Sequence, residues 1–372
     1  MAQALPRLDK VIIEPTTRCN LQCTTCMRNT WDEPYGDMTA ETFSALMRGL
    51  RELRPSKVAF WGIGEPLMNP RLVEMVRQAK SIGARVGLIT NGILLNREIA
   101  TGLVLAGLDT LIVSQDGTSH ESHESVRPGI DGREVHDNIA GLRRIRDGLG
   151  RTTPEIGIEF VAMKQNLSHL RELPALAESL GAKFVVVTNV LPYSEDLKNE
   201  ILYWIEAGLP HTPVKKTTLS GVYLPPMDRT RENLVYLDVP GATRWSFTDQ
   251  NAPRSGPLGY CPFVNEGALA VSWDGSLSPC VPLMHTYKCW VMGREKLVKS
   301  YIIGDVNTDD VKTVWEGAEH AAFQRRVLDF GFSPCVDCGG CEKAESNQED
   351  CFGNNHPTCG DCLWASGIIV CP

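Results

Sequence analysis

The placing of thirteen cysteines limits what this 372-residue chain can become more than any other feature of it. Three lie together at Cys19, Cys23 and Cys26. The 234 residues from Met27 to Tyr260 contain none, and ten follow at Cys261, Cys280, Cys289, Cys335, Cys338, Cys341, Cys351, Cys359, Cys362 and Cys371. The count is odd, which disfavours a framework of paired disulfides. Met1 to Lys10 lacks the apolar core of a signal peptide, and no apolar run approaches the roughly 20 residues that span a bilayer. A cytoplasmic location is therefore expected, where so many thiols are better explained by metal or redox chemistry than by cross-links. The formal charge of −8 is spread along the chain, which argues against nucleic-acid and anionic-membrane partners.

The first 210 residues alternate short β-branched runs with segments of helical period, the pattern of βα units around a parallel sheet. Six strands are expected: Val11–Glu14, Val58–Trp61, Arg85–Thr90, Thr110–Ser114, Glu155–Met163 and Phe184–Val190. Between them, Phe43, Leu46, Met47, Leu50 and Leu53 form one apolar helix face, and Val135, Ile139, Leu142, Ile145 and Leu149 another. A helix marked by Leu170, Leu173, Ala177 and Leu180 gains its regular part near Pro174. A further helix is expected over Glu195–Ala207, and one over Val311–Leu328. The reading divides the chain into 1–210, a connecting segment rich in Pro, Thr and Arg over 211–258, and a cysteine-rich unit over 259–372.

Cys19-Asn-Leu-Gln-Cys23-Thr-Thr-Cys26 follows the first strand directly, on a loop at the carboxyl end of a barrel strand, where β/α barrels build their active sites. Three closely spaced thiolates can hold three irons of a [4Fe-4S] cluster and leave the fourth open to substrate. Structural zinc fits less well, since it wants a fourth ligand and usually shows paired CxxC knuckles. This motif, with Gly62-Ile63-Gly64-Glu65-Pro66 after the second strand, resembles the radical S-adenosylmethionine (SAM) superfamily, whose fold is a partial (β/α)6 TIM-type barrel. The resemblance implies that Gly62, Gly64, Glu65 and Pro66 receive the methionine ammonium of SAM. It adds Asn91 at the end of the third strand, and Ser114, Asp116 and Arg127 from a pattern like SxDG…H…R; Arg127 would clamp the methionine carboxylate. Thr25 stands where an aromatic residue often helps hold adenine. His120 and His123 are given no role.

Cys261, thirteen residues, Gly275, four residues and Cys280 enclose an expected hairpin with an Asp274-Gly275 turn. This stretch resembles the start of a SPASM domain, an extension that binds two auxiliary [4Fe-4S] clusters. Two such clusters need eight thiolates, so of the ten C-terminal cysteines two are spare, Cys289 first among them. The resemblance puts Cys335, Cys338 and Cys371 in the distal cluster and Cys261 and Cys280 in the proximal one. The places of Cys341, Cys351, Cys359 and Cys362 stay open, as does a reading of the two CxxC pairs as zinc ribbons.

The resemblance implies an oxidoreductase that uses three [4Fe-4S] clusters and a low-potential donor, flavodoxin or ferredoxin, to cleave SAM to a 5′-deoxyadenosyl radical. Its expected substrate is a peptide or protein. Glu14-Pro-Thr-Thr-Arg-Cys19, Cys26-Met-Arg-Asn-Thr-Trp31 and the cysteine-rich tail are similar to a subgroup proposed as maturases for tungsten-dependent aldehyde oxidoreductases. Radical chemistry on a small metabolite and a metal-bound scaffold without turnover are the alternatives. No catalytic acid or base is identifiable, since Glu159 and Asn189 at strand ends could equally be structural.

Overall fold

The computed structural model describes residues 5–203, 221–224, 246–249, 260–338 and 341–370. Six strands, β1 (Lys10–Ile13), β2 (Lys57–Phe60), β3 (Arg85–Thr90), β4 (Thr110–Ser114), β5 (Glu155–Ala162) and β6 (Phe184–Asn189), pair in parallel in chain order. They are the six expected strands, within one residue or so at their ends. Parallel strands covered on both faces must be apolar throughout, and Val11, Ile12, Ile13, Ile156, Ile158 and Phe160 are fully buried.

The helices follow from one-sided apolar spacing and from local caps. In α1 (Ala40–Leu53), Phe43, Leu46, Met47 and Leu50 face the sheet, and the Thr39 hydroxyl accepts the Thr42 N–H at 3.1 Å. Next come α2 (Leu72–Ser81), α3 (Arg97–Ala106), α4 (His120–Val126), α5 (Gly132–Gly148) and α6 (Leu173–Leu180). In α5 the buried face is Val135, Ile139 and Leu142, while Leu149 lies beyond the helix and is 47% exposed. Pro174 sits in the first turn of α6, where its missing N–H costs nothing.

Two expected helices come out differently. Over 195–203 only Asp196–Asn199 turns, as a short 3₁₀ helix. Ile201, Leu202 and Tyr203 are consecutively buried, which a one-sided helix cannot achieve, and the Tyr203 hydroxyl donates to the Val190 carbonyl at 3.1 Å. The rest of the expected segment, 204–207, lies outside the described residues. The helix expected over Val311–Leu328 is two helices, Val311–Glu316 and Ala318–Asp329, broken at Gly317 (ψ 151°). The break lets His320 fold back onto Trp315, its Nδ1 2.9 Å from the Trp315 carbonyl oxygen.

The sheet extends beyond six strands. β7 (Gly221–Leu224) and β8 (Ser246–Asp249), within the segment expected to be a connection, continue it in parallel from β6. On the other side, β9 (Ala268–Val271) pairs in parallel with β1, and β10 (Ser276–Ser278) pairs antiparallel with β9 through the expected Asp274-Gly275 turn. The cysteine-rich half is thus joined to the barrel strand that carries the first thiol loop. A separate hairpin, β11 (Tyr287–Val291) and β12 (Arg294–Val298), packs nearby, and β13 (Gly304–Asp305) pairs with β10. Among the described residues no helix is long and apolar enough to cross a membrane.

Leu46, fully buried where α1 meets the sheet, is a direct test of this packing. Leu46→Ala is expected to lower stability by about 3 kcal/mol, read as a shift in the urea-unfolding midpoint.

Candidate active site and thiol centres

The loop after β1 carries all three N-terminal thiols, and its course is fixed by bonds to the rest of the barrel mouth. The Thr24 N–H donates to the Val126 carbonyl at 2.9 Å, and the Asn29 side-chain amide bonds the Cys23 and Thr24 carbonyls at 3.1 and 3.0 Å. Cys26 caps the short helix Met27–Thr30, its sulfur accepting the Arg28 N–H at 3.4 Å. Burial pushes the Cys23 thiol up to about 11, against the pull of Arg127, and burial likewise raises Cys26 against the Arg28 N–H. Such sites disfavour free thiolates, and a bound metal centre reverses that balance. Three thiols on one loop, with the guanidiniums of Arg28 and Arg127 close by, are a donor set that fits an iron-sulfur cluster with one open corner.

The stretch Gly62–Pro66 lies directly against this loop. A Cβ on Gly64 would stand 2.3 Å from the Thr16 carbonyl oxygen and 2.5 Å from that of Arg18; one on Gly62 would stand 2.4 Å from Glu14 Cγ. Only glycine permits both approaches, so the Gly-x-Gly form keeps the close contact. The Glu65 N–H completes it by donating to the Arg18 carbonyl at 2.8 Å.

The Glu65 side chain is 2% exposed and already engaged. It accepts the Leu67 N–H at 3.0 Å, the Thr90 hydroxyl at 2.7 Å and the Asn91 N–H at 2.8 Å. Burial raises its carboxyl pKa despite those donors. One of the four or so acceptor positions of a carboxylate is left for an ammonium. Asn91 in turn bonds Asn20 of the thiol loop through its side-chain amide at 2.8 Å.

Ser114, Asp116 and Arg127 come together across β4 and β5. Asp116 is completely buried, accepting the Val161 N–H at 2.8 Å and the Arg127 Nε–H at 2.7 Å. Arg127 Nη1 lies 3.8 Å from the Cys23 sulfur. Asp116 therefore holds the guanidinium in place beside the thiol loop. The Ser114 hydroxyl donates to Glu159 at 3.3 Å. His123 is structural: its Nδ1 accepts the Asp116 N–H at 3.1 Å, and burial drives its pKa down to about 4.

The C-terminal thiols gather in two places. Cys261, Cys280, Cys359 and Cys362 line one cavity of about 60 Å³, and burial pushes all four thiols up, neighbouring thiols adding to it at Cys261, Cys280 and Cys359. Cys289 lines the same cavity, as does the buried ion pair Lys296–Asp361. Cys335 and Cys351 flank the Ser333 hydroxyl at 3.6 and 3.0 Å, Cys338 shares the turn Cys335–Cys338, and Cys341 and Cys351 both face Lys343. Cys371 lies outside the described residues. Among the described residues no three His, Cys, Asp or Glu side chains converge closely enough to hold a single ion.

Residues 13–173 match the radical SAM superfamily, and residues 261–342 match the SPASM family, described as an iron-sulfur cluster-binding domain. The chain carries a radical SAM domain followed by a SPASM domain. It is 29% identical over 364 residues to the tungsten-containing aldehyde ferredoxin oxidoreductase cofactor-modifying protein of Pyrococcus furiosus, a match covering 97% of this chain and 96% of that one. It is 31% identical to the PqqA peptide cyclase of Gluconobacter oxydans over 191 residues, about half of either chain (51%). Among solved structures, Streptococcus suis SuiB bound to the precursor peptide SuiA shares the fold at a TM-score of 0.57 and 12% identity, covering 86% of this chain and 67% of that one. Native anSMEcpe with bound AdoMet gives 0.55 at 17% identity, covering 96% and 95%.

Several residues around the radical SAM domain's strand ends escaped the sequence reading. The buried Glu14 and His285 and the partly exposed Glu33 form a hydrogen-bonded group beside Gly62, and nothing in local spacing joins residues so far apart. The pairing of Cys359 and Cys362 with Cys261 and Cys280 was equally hidden, although their CxxC spacing marked them as a unit.

Asp116→Asn keeps the acceptor for Val161 but removes the counter-charge of a nearly buried guanidinium. It is expected to cost about 3 kcal/mol in guanidinium-chloride unfolding.

Proposed function

We propose that the enzyme generates its radical at the Cys19, Cys23 and Cys26 loop and modifies a peptide or protein, in the maturation of a tungsten-dependent oxidoreductase. The observation that carries the reading is the contact of that thiol loop with the glycines at 62 and 64 and with Arg127. A [4Fe-4S] cluster bound there supplies the electron that cleaves SAM to methionine and a 5′-deoxyadenosyl radical. In this reading Gly62, Gly64, Glu65 and Pro66 receive the methionine ammonium, Arg127 takes the carboxylate with Asp116 orienting it, and Ser114 and Asn91 line the site. The apolar barrel walls keep water and stray hydrogen donors from the reacting carbon.

The two C-terminal thiol groups are read as two auxiliary clusters, Cys261, Cys280, Cys359 and Cys362 in one and Cys335, Cys338, Cys341 and Cys351 in the other. Their support is the shared cavity of the first set and the Ser333 and Lys343 contacts of the second. Cys289 is then spare, and so is Cys371, which resemblance alone had put in the distal cluster. Full ligation suits clusters that pass on the electron left on an oxidised substrate. Flavodoxin or ferredoxin is the proposed donor, the cytoplasm the proposed compartment, and 1–210, 211–258 and 259–372 the proposed divisions.

The peptide reading is supported by relatives named for peptides, SuiB with SuiA and the PqqA cyclase, and the tungsten reading by the Pyrococcus furiosus relative. That relative's name also supports a second reading, in which the target is the tungsten enzyme's cofactor rather than its polypeptide. Incubation with the apo-oxidoreductase, followed by separate mass analysis of protein and extracted cofactor, distinguishes the two.

Protein reconstituted without oxygen is expected to hold about twelve irons, at four per cluster, and to release 5′-deoxyadenosine with SAM and dithionite. The Cys19→Ala, Cys23→Ala, Cys26→Ala variant is expected to hold about eight and release none. Release from that variant at the unaltered rate would refute the assignment. Cys359→Ala with Cys362→Ala is expected to lose about four irons while retaining SAM cleavage.

A further inference from the structure

Among the side chains of the cysteine-rich half that meet the barrel, His285 is the one placed between two carboxylates. Its Nε2 is 2.9 Å from Glu14 Oε2 and its Nδ1 is 2.8 Å from Glu33 Oε2. The Glu14 side chain is 0% exposed and that of His285 5%. The remaining oxygen of Glu14 accepts the Ile63 N–H at 2.8 Å, and that of Glu33 accepts the Thr286 N–H at 2.8 Å. Trp31 packs against the imidazole with ring centroids 4.5 Å apart. With a carboxylate oxygen against each nitrogen, both nitrogens donate and the ring is an imidazolium.

We infer that His285 is a positioning residue for the SAM site: from the SPASM half it holds the Glu14 carboxylate where it receives the Ile63 N–H, and so sets the Gly62–Pro66 cradle. The inference rests on the proposed reading of that cradle as the SAM-binding element. Glu14 cannot turn away without consequence, because Gly62 is packed directly on its Cγ and Oε1 and Gly64 on the carbonyls of Thr16 and Arg18. Without a cation beside it, a carboxylate buried this completely is left with an unpaired charge and turns toward solvent. That turn draws Oε1 away from the Ile63 N–H, and the backbone of 62–64 follows.

The charged groups facing the imidazolium are Glu14 from the end of β1, Glu33 from the loop after Met27–Thr30, and Asp274 from the β9–β10 turn. Burial opposes the cation, but Glu14 and Glu33 outweigh it and raise the His285 pKa from 6.5 to about 9. A raised imidazole pKa contributes stability that is complete below about 6.5 and is lost as pH rises through about 9.

The test compares reconstituted wild type and His285→Gln by equilibrium dialysis with labelled SAM across a pH series, with iron content measured on both. The variant is expected to keep its iron and bind SAM about tenfold more weakly at neutral pH, the size of one charge-assisted hydrogen bond, with the two affinities converging above about pH 10. Equal affinities at neutral pH, or a ratio that does not change with pH, would overturn the inference. Should His285→Gln fail to fold, Glu33→Gln replaces it: the wild-type loss of SAM affinity should then begin at lower pH, and an unmoved profile overturns the inference. Gly64→Val separates the two layers. If it binds SAM as wild type does, the cradle reading itself falls and takes this inference with it; if it loses SAM while His285→Gln does not, only the role of His285 is refuted.

Discussion

A parallel sheet forces its strands to end together. Their backbones satisfy one another inside the sheet, and their apolar side chains fill both faces, so polar residues are confined to the strand ends. In this protein the carboxyl ends of β1 to β4 bring Glu14, Gly62, Asn91, Ser114 and Asp116 to one mouth, although up to about a hundred residues separate them in the chain. The thiol loop after β1 lies across that mouth. Thiol loop, glycine cradle and guanidinium therefore share one place because the strands share one direction.

Buried carboxylates then fix the loops to one another. Glu65 ties the β2 loop to the end of β3 through Thr90 and Asn91. Asp116 ties Arg127 to β5 through the Val161 N–H. Glu14 ties β1 to the β2 loop and, through His285, to the cysteine-rich half. Each accepts two or more donors, which makes a buried carboxylate tolerable and leaves it little freedom to move. A mouth held in this way is preorganised, as control of a reactive radical requires.

The architecture was legible where the signals were local. The six strands and the faces of α1 and α5 followed from apolar spacing, and the Asp274-Gly275 hairpin from its turn residues. The reading went astray where tertiary contacts overrode local pattern. Ile201, Leu202 and Tyr203 look compatible with a helix but are buried together below Val190, and Gly317 splits a periodic stretch so that His320 can pack on Trp315. Nor does spacing indicate that β9 would pair with β1, since about 250 residues separate them.

What the sequence by itself determined is the chemistry of each short motif: three thiols with three and then two residues between them after a strand, glycines that permit backbone contact, and an Asp-Gly turn. Such motifs act over a few residues, so their geometry is written in their spacing. Only the tertiary structure decided which distant groups meet. Cys359 and Cys362 join Cys261 and Cys280 at one cavity, and His285 lies between Glu14 and Glu33, because the packing of the second half against β1 carries them there. A sequence states the donors and the charges it contains; burial decides which of them must find one another.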